Sequence, residues 1–175
     1  MEVAAGYLNA FRARIADLVL VTMAEPGAPH AELAAAVRDH VRAGVPVLRC
    51  VLRPRPLESV AGERVAYFCT APPEGHEALA AHLAEVHGAR PTFVSGSLAD
   101  RGALRDELAR VDADIFLVEL KAAAVDVVVE EAARRGARIV VAANDVVPLP
   151  GEPSLDVELD RLAAEATLRV AEAVG

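Results

Sequence analysis

The sequence predicts an α/β fold, a three-layer sandwich in which helices cover a mostly parallel sheet. Short, continuously apolar runs of strand length alternate along the chain with alanine-rich segments of helical period. Apolar residues that do not alternate with polar ones are typical of parallel strands covered on both faces. Several helical segments also stop at a glycine, which favours the left-handed turn that follows a helix; these are Gly44, Gly88 and Gly136.

The predicted strands and helices follow one another in a regular order. Six apolar runs are predicted to be strands, over residues 17–23, 45–52, 64–70, 91–95, 114–120 and 138–143. Five segments are predicted to be helices, over residues 31–43, 74–86, 101–110, 122–135 and 155–173. With 175 residues and no internal repeat, the chain is expected to form a single α/β domain over residues 1–175.

The composition restricts the partners that the chain can bind. Its 26 acidic residues outnumber its 18 basic ones, for a formal net charge of −8, whereas a nucleic-acid-binding surface needs a basic face. No apolar run approaches the roughly 18 residues of a membrane span and no signal-peptide pattern is present, so a cytoplasmic protein without membrane contact is expected. The two cysteines and five histidines lack zinc-ligand spacing, so they predict no metal site.

The only lysine of the chain, Lys121, follows its most apolar stretch. Ligands of such folds bind at the carboxyl ends of the strands, where a compact ammonium group suits a phosphate or carboxylate better than the wide fork of arginine. Glu119 lies on the same face of an extended chain, and Asp126 on the first turns of the next helix. Either carboxylate can orient the lysine or hold Mg²⁺. The alternatives are a solvated strand end and a simple ion pair.

Two other strand-end segments carry groups suited to phosphate. Arg53-Pro-Arg55-Pro holds both arginines extended, because a proline disfavours helical geometry in the residue before it. A rigid arginine pair fits phosphate oxygens, although a solubilising linker is the alternative. Residues 95–101 offer two serine hydroxyls and a glycine, either as a phosphate cradle or, the favoured reading, as a turn before a helix capped by Asp100. No Gly-x-x-x-x-Gly-Lys-Ser/Thr phosphate loop occurs in the chain.

Six segments in a fixed order carry a family resemblance. The most specific is Glu-Leu-Lys-Ala-Ala-Ala-Val-Asp-Val, and the six lie at residues 6–12, 16–26, 51–57, 69–73, 97–101 and 119–127. With them, the chain resembles the carboxyl-terminal part of cyclic 2,3-diphosphoglycerate synthetases over nearly all of its length. Asn144 and Asp145 depart from the order and spacing of that family, so neither is assigned a role.

The resemblance implies an ATP-dependent ligase that forms the intramolecular phosphoanhydride of cyclic 2,3-bisphosphoglycerate from 2,3-bisphosphoglycerate, with ATP and Mg²⁺, on a P-loop-NTPase-related fold. The substrate would be bound by a basic cluster of Arg12, Arg53, Arg55, Arg101 and Lys121. Thr22 and Glu25 would lie near the nucleotide, and Glu119 and Asp126 would act with Lys121 in catalysis.

Members of the family are longer at the amino end and carry the phosphate loop there. The chain is therefore expected to be the carboxyl-terminal portion of a synthetase, with a homodimer partner or a separate amino-terminal half. The alternatives are a non-catalytic small-anion-binding domain and a truncated fragment.

Overall fold

The structure is a computed structural model that describes residues 7–25, 29–120 and 124–174. The chain divides into two compact units, the first made of Met1–Leu52 and Val146–Gly175 and the second of Arg53–Asp145. The boundary falls inside two strands rather than at a linker. The prediction of one domain over residues 1–175 stays a prediction.

Helices and strands alternate along the described residues, as predicted for a mixed α/β fold. In chain order they are α1 (Tyr7–Ile15), β1 (Val19–Val21), α2 (Pro29–Arg38), β2 (Val47–Pro56), β3 (Arg64–Phe68), α3 (His76–His87), β4 (Arg90–Ser95), α4 (Arg101–Leu108), β5 (Ile115–Glu119), α5 (Val125–Arg135), β6 (Arg138–Pro148) and α6 (Leu155–Val174). Short 3₁₀ turns at Pro73–Gly75 and Ser97–Ala99 precede α3 and α4.

The second unit contains a parallel sheet in the order β6-β5-β3-β4. Its registers place Leu117 of β5 between Tyr67 of β3 and Val140 of β6. Because the strands are parallel, their carboxyl ends meet at one edge of the sheet. That edge, defined by the residues that follow β3, β4 and β5 together with the neighbouring part of β6, is called the carboxyl edge below.

Each face of this sheet is covered by its own apolar cluster, as expected for buried parallel strands. On one face Phe68 and Phe116 pack with α4 and α5, their ring centroids 5.3 Å apart and tilted. On the other face Tyr67 and Leu117 pack against Leu83 of α3. The second unit therefore has the three layers that the sequence predicts.

The first unit contains β1 paired in parallel with β2, with Val19 opposite Val47. Val21 and Val47 pack against Ala34 and Val37 of α2 in a small separate core. Among the described residues, no helix combines the length and the apolar character needed to cross a membrane.

Several predicted boundaries are wrong. β2 continues through Arg53-Pro-Arg55-Pro instead of ending at Leu52, because proline fits the extended conformation and the strand still pairs, with the Leu57 amide donating to Val141 O at 2.9 Å. β6 continues to Pro148 instead of ending at residue 143, since β-branched valines at 146 and 147 favour a strand.

Two helical regions also differ from the prediction. α2 ends at Arg38, so Gly44 (φ 82°) belongs to a later turn. Arg42 lies beyond the end of this helix, and its guanidinium donates to Ala16 O and to the Asp17 carboxylate. α1 was not predicted. Gly88 and Gly136 do end α3 and α5 with φ of 65° and 73°, as predicted. The P-loop relation of the fold stays a prediction.

Candidate functional site

Glu119, the last residue of β5, is bonded by residues from both neighbouring strands at the carboxyl edge. Its Oε2 accepts the backbone N–H of Thr70 at 3.2 Å and the Thr70 hydroxyl at 3.4 Å. Its Oε1 accepts the side-chain amide of Asn144 at 2.5 Å. Thr70 follows β3 and Asn144 lies in β6, so three adjacent strands converge on one carboxylate.

Close to this carboxylate, Tyr67 of β3 and Cys69, just after that strand, are titratable side chains that are almost fully buried. Burial raises the pKa of Cys69 to about 11, and the nearby Glu119 charge adds to the rise. Burial likewise raises the pKa of Tyr67, with smaller contributions from Cys69 and Glu119. Both groups are therefore neutral at neutral pH.

The Cys69 thiol is expected to resist alkylation in the folded protein. Its raised pKa removes the thiolate that reacts, its side chain is only 2% exposed, and its thiol donates to Ser95 O at 3.2 Å. Cys50 is also buried, and burial raises its pKa as well. Iodoacetamide at pH 8 should label neither cysteine in the native protein and both in urea. Mass spectrometry measures the number of labels per chain. Rapid labelling of Cys69 in the native protein would contradict this burial.

The loop after β4 is held by Glu107 of α4. The hydroxyls of Ser95 and Ser97 donate to its two carboxylate oxygens at 2.5 and 2.8 Å, and the Ser97 amide donates to Ser95 Oγ at 3.1 Å. Asp100 caps α4 by accepting from Gly102 N and Ala103 N. The capped-turn alternative is thus confirmed, and a carboxylate already bonds the hydroxyls that a phosphate cradle would use.

Gly96 allows the loops after β3 and β4 to approach one another closely. A Cβ built on this glycine would lie 2.3 Å from the backbone oxygen of Ala71. Gly96→Ala should therefore lower the free energy of unfolding by about 1–3 kcal/mol, since backbone must move to relieve the clash. Gly102→Ala is the matched control, because its Cβ would meet its nearest neighbour at 3.4 Å. Equal urea midpoints for the two variants would contradict this packing.

The structure brings Arg101 and Asp126 together. Both guanidinium Nη atoms of Arg101, at the start of α4, donate to the Asp126 carboxylate at the start of α5. This hydrogen-bonded pairing lowers the pKa of Asp126 and raises that of Arg101. About half of each side chain is exposed, so the pair is accessible from solvent.

Arg53 and Arg55 lie in the part of β2 that belongs to the second unit. The Arg55 Nε donates to Asp145 Oδ1 at 2.9 Å, in a pair that is about half exposed. On α3, the ring of His82 packs edge-on against His87, with centroids 5.2 Å apart. Burial lowers the pKa of His82, and the positive charges of His87 and Arg53 lower it further. The extended conformation predicted for both arginines is confirmed.

Arg12, Thr22 and Glu25 belong to the first unit. Arg12 is exposed in the last turn of α1, whereas Thr22 and Glu25 follow β1 and are partly buried. Between them Met23 has a φ of 56°, a left-handed conformation that is strained for a side chain of this kind. The strain is compensated locally, since it lets the buried Ala24 donate its N–H to Cys50 O at 3.1 Å.

Lys121 lies outside the described residues. Two described residues near it in sequence lie at the carboxyl edge: Glu119 ends β5, and the Ala124 amide donates to Leu98 O at 3.2 Å in the turn after β4. Within residues 7–25, 29–120 and 124–174, no group of three or more histidine, cysteine, aspartate or glutamate side chains is placed to hold a metal ion.

Comparison with known proteins assigns the chain to a family. A family model described as cyclic 2,3-diphosphoglycerate synthetase C-terminal domain matches residues 56–145, just over half of the chain. This chain belongs to the cyclic 2,3-diphosphoglycerate synthetase family. The matched segment begins in β2 and ends in β6, and it contains Glu119, Thr70 and Asn144.

Curated members of the cyclic 2,3-diphosphoglycerate synthetase family match most of the chain. The synthetase of Rubrobacter xylanophilus is 45% identical over 170 residues, which cover 94% of this chain and 37% of the relative. Those of Thermococcus sibiricus and Methanothermobacter thermautotrophicus are each 33% identical, over 84% and 88% of this chain and 34% of either relative. The chain thus spans about a third of the length of the synthetases it matches.

Sequence reasoning missed Asn144 as a site residue. Its altered spacing relative to other synthetases argued against a role, yet its amide makes the shortest bond to Glu119. The signal was its place two residues after the buried Ala142, on the same face of the strand that neighbours β5. The contacts of Thr70 were not predicted either, although both its hydroxyl and its backbone N–H donate to Glu119.

Proposed function

We propose that this chain carries the substrate-binding part of a cyclic 2,3-diphosphoglycerate synthetase, an ATP-dependent ligase that joins the two phosphates of 2,3-bisphosphoglycerate in an intramolecular phosphoanhydride. The observation that supports this most is the oriented Glu119 carboxylate at the carboxyl edge, two residues before the only lysine of the chain. Family membership supplies the reaction, because the relatives are named as synthetases of this product.

Positive groups of the second unit are proposed to hold the phosphates. Lys121 would supply a compact charge, while Arg53 and Arg55, extended in β2, would supply planar donors for phosphate oxygens. Arg101, at the start of α4, would contribute a further positive charge, and the Asp126 carboxylate would orient its guanidinium. Bringing the two phosphates of one substrate together requires this neutralisation, since phosphoryl chemistry depends mainly on positioning and charge.

The donor set at the carboxyl edge fits Mg²⁺, which prefers oxygen ligands. Glu119 Oε1 is the protein atom proposed to contact it. When bound with ATP, the ion would neutralise phosphate charge. Thr22 and Glu25 of the first unit are proposed to contact the nucleotide, and Arg12 to bind substrate, as the resemblance implies.

A non-catalytic small-anion-binding domain is the second candidate. It is favoured by the absence of a Gly-x-x-x-x-Gly-Lys-Ser/Thr motif from the 175 residues, because the groups above can bind an anion without supplying a phosphate loop for ATP. It predicts binding of 2,3-bisphosphoglycerate without production of ADP.

A product assay separates the two candidates. The purified chain is mixed with the amino-terminal part of a related synthetase, which the chain does not cover, and incubated with 2,3-bisphosphoglycerate, ATP and Mg²⁺, while ³¹P NMR follows the cyclic product and ADP. The synthetase proposal predicts both products in equal amounts, with Arg90→Ala, at the amino end of β4, as a control that retains activity. Saturable substrate binding without either product would favour the anion-binding domain instead.

A further inference from the structure

The Glu119 carboxylate accepts three hydrogen bonds from residues that the structure describes. A carboxylate offers about four acceptor positions, two on each oxygen. Thr70 fills two positions on Oε2, with its N–H and its hydroxyl, and Asn144 fills one on Oε1. The hydrogen bonds made by residues 7–25, 29–120 and 124–174 thus leave one acceptor position on Oε1 for a further contact.

The two partners hold the carboxylate from opposite sides. Thr70 follows β3 and Asn144 lies in β6, the two strands that flank β5 in the sheet of the second unit. Both are neutral groups, so they fix the orientation of the carboxylate without cancelling its charge. Such neutral donors are typical of residues that orient a functional group for another partner.

We propose that Thr70 and Asn144 are positioning residues of the substrate site, which fix Glu119 so that it makes one contact, through Oε1, with the cation or donor that accompanies the bound phosphates. This inference rests on the proposed function. It also excludes two-oxygen chelation of a metal ion by Glu119, because both acceptor positions of Oε2 are occupied by Thr70.

Affinity measurements with isosteric variants test the positioning role. The dissociation constant for 2,3-bisphosphoglycerate with Mg²⁺ is measured by calorimetry for Asn144→Asp, Thr70→Val and Thr70→Ser. Asn144→Asp should weaken binding by about tenfold or more, since it replaces a donor by a second negative charge, and Thr70→Val by about threefold to tenfold. Thr70→Ser retains the hydroxyl and should bind within about twofold of the wild type. Thr92→Val, at the amino end of the sheet, is the control.

The pH dependence of Asn144→Asp separates positioning from a general loss of structure. Lowering the pH from about 8 to about 5 should recover part of the affinity relative to wild type. Two adjacent carboxyl groups share one proton at a raised pKa, and the shared proton again makes one of them a donor. The neighbouring Cys69 and Tyr67 have raised pKa values and stay neutral throughout this range. A merely destabilised variant would not regain affinity on acidification.

A second readout does not depend on ligand binding. The Thr70 amide proton, bonded to a charged acceptor, should shift upfield in ¹H–¹⁵N NMR spectra of Glu119→Gln and Asn144→Asp. Wild-type affinity in folded Asn144→Asp and Thr70→Val at every pH would overturn the inference. If the wild type itself binds no substrate, the proposed function fails. The Thr70 amide resonance then tests the positioning role by itself: a shift in the variants supports that role, and an unchanged resonance refutes it.

Discussion

The Lys121→Ala variant is expected to bind 2,3-bisphosphoglycerate about 10- to 100-fold more weakly than the wild type while folding normally. The removed ammonium is the only one among the 18 basic side chains of lysine and arginine type, and a charge-assisted bond to phosphate contributes about 1.5–3 kcal/mol. Lys121→Arg should restore only part of this affinity, because the wide planar guanidinium group of arginine does not replace the compact ammonium group of lysine. Equilibrium dialysis with the three proteins measures the ratios.

The control for this experiment is Arg90→Ala, which removes one positive charge at the opposite, amino end of β4. It should bind as the wild type does, and it corrects for any effect of net charge. A Lys121→Ala protein that binds as tightly as Arg90→Ala would show that the lysine is only a solvated residue after the strand.

Leu117→Ala is expected to lower the free energy of unfolding by about 2–5 kcal/mol. Leu117 is fully buried in the middle of β5, where it packs between Tyr67 and Val140, so its truncation leaves a cavity that a close-packed sheet cannot refill. The matched control is Leu120→Ala, three residues later, whose side chain is 66% exposed. Urea unfolding followed by circular dichroism should show a change within about 0.5 kcal/mol for this control. Similar losses for both variants would contradict the burial of β5.

Much of the fold follows from patterns that are local in the chain. The apolar run of β5 and the glycines after α3 and α5 each act through neighbours a few residues away, and all were predicted at nearly their observed positions. The extension of β2 was not predicted, because Pro54 and Pro56 usually end a strand. Their tolerance depends on a pairing with β6, about 85 residues further along the chain, that no local pattern contains.

The candidate site could be predicted only as far as its residues are neighbours in sequence. Glu119 was found because it lies two residues before Lys121. Its bonds to Thr70 and Asn144 join residues 49 and 25 positions apart, so they follow from the order of the strands. The pairing of Arg101 with Asp126, also 25 positions apart, likewise depends on how α4 packs beside α5.

Calorimetric titration of the wild-type chain with 2,3-bisphosphoglycerate, followed by Mg-ATP, tests the central proposal most directly. We expect saturable binding of 2,3-bisphosphoglycerate with one site per chain, weakened by Lys121→Ala and by Asn144→Asp and unchanged by Arg90→Ala. A folded, monodisperse wild-type sample that releases no binding heat with 2,3-bisphosphoglycerate at several temperatures would contradict a substrate site on this chain.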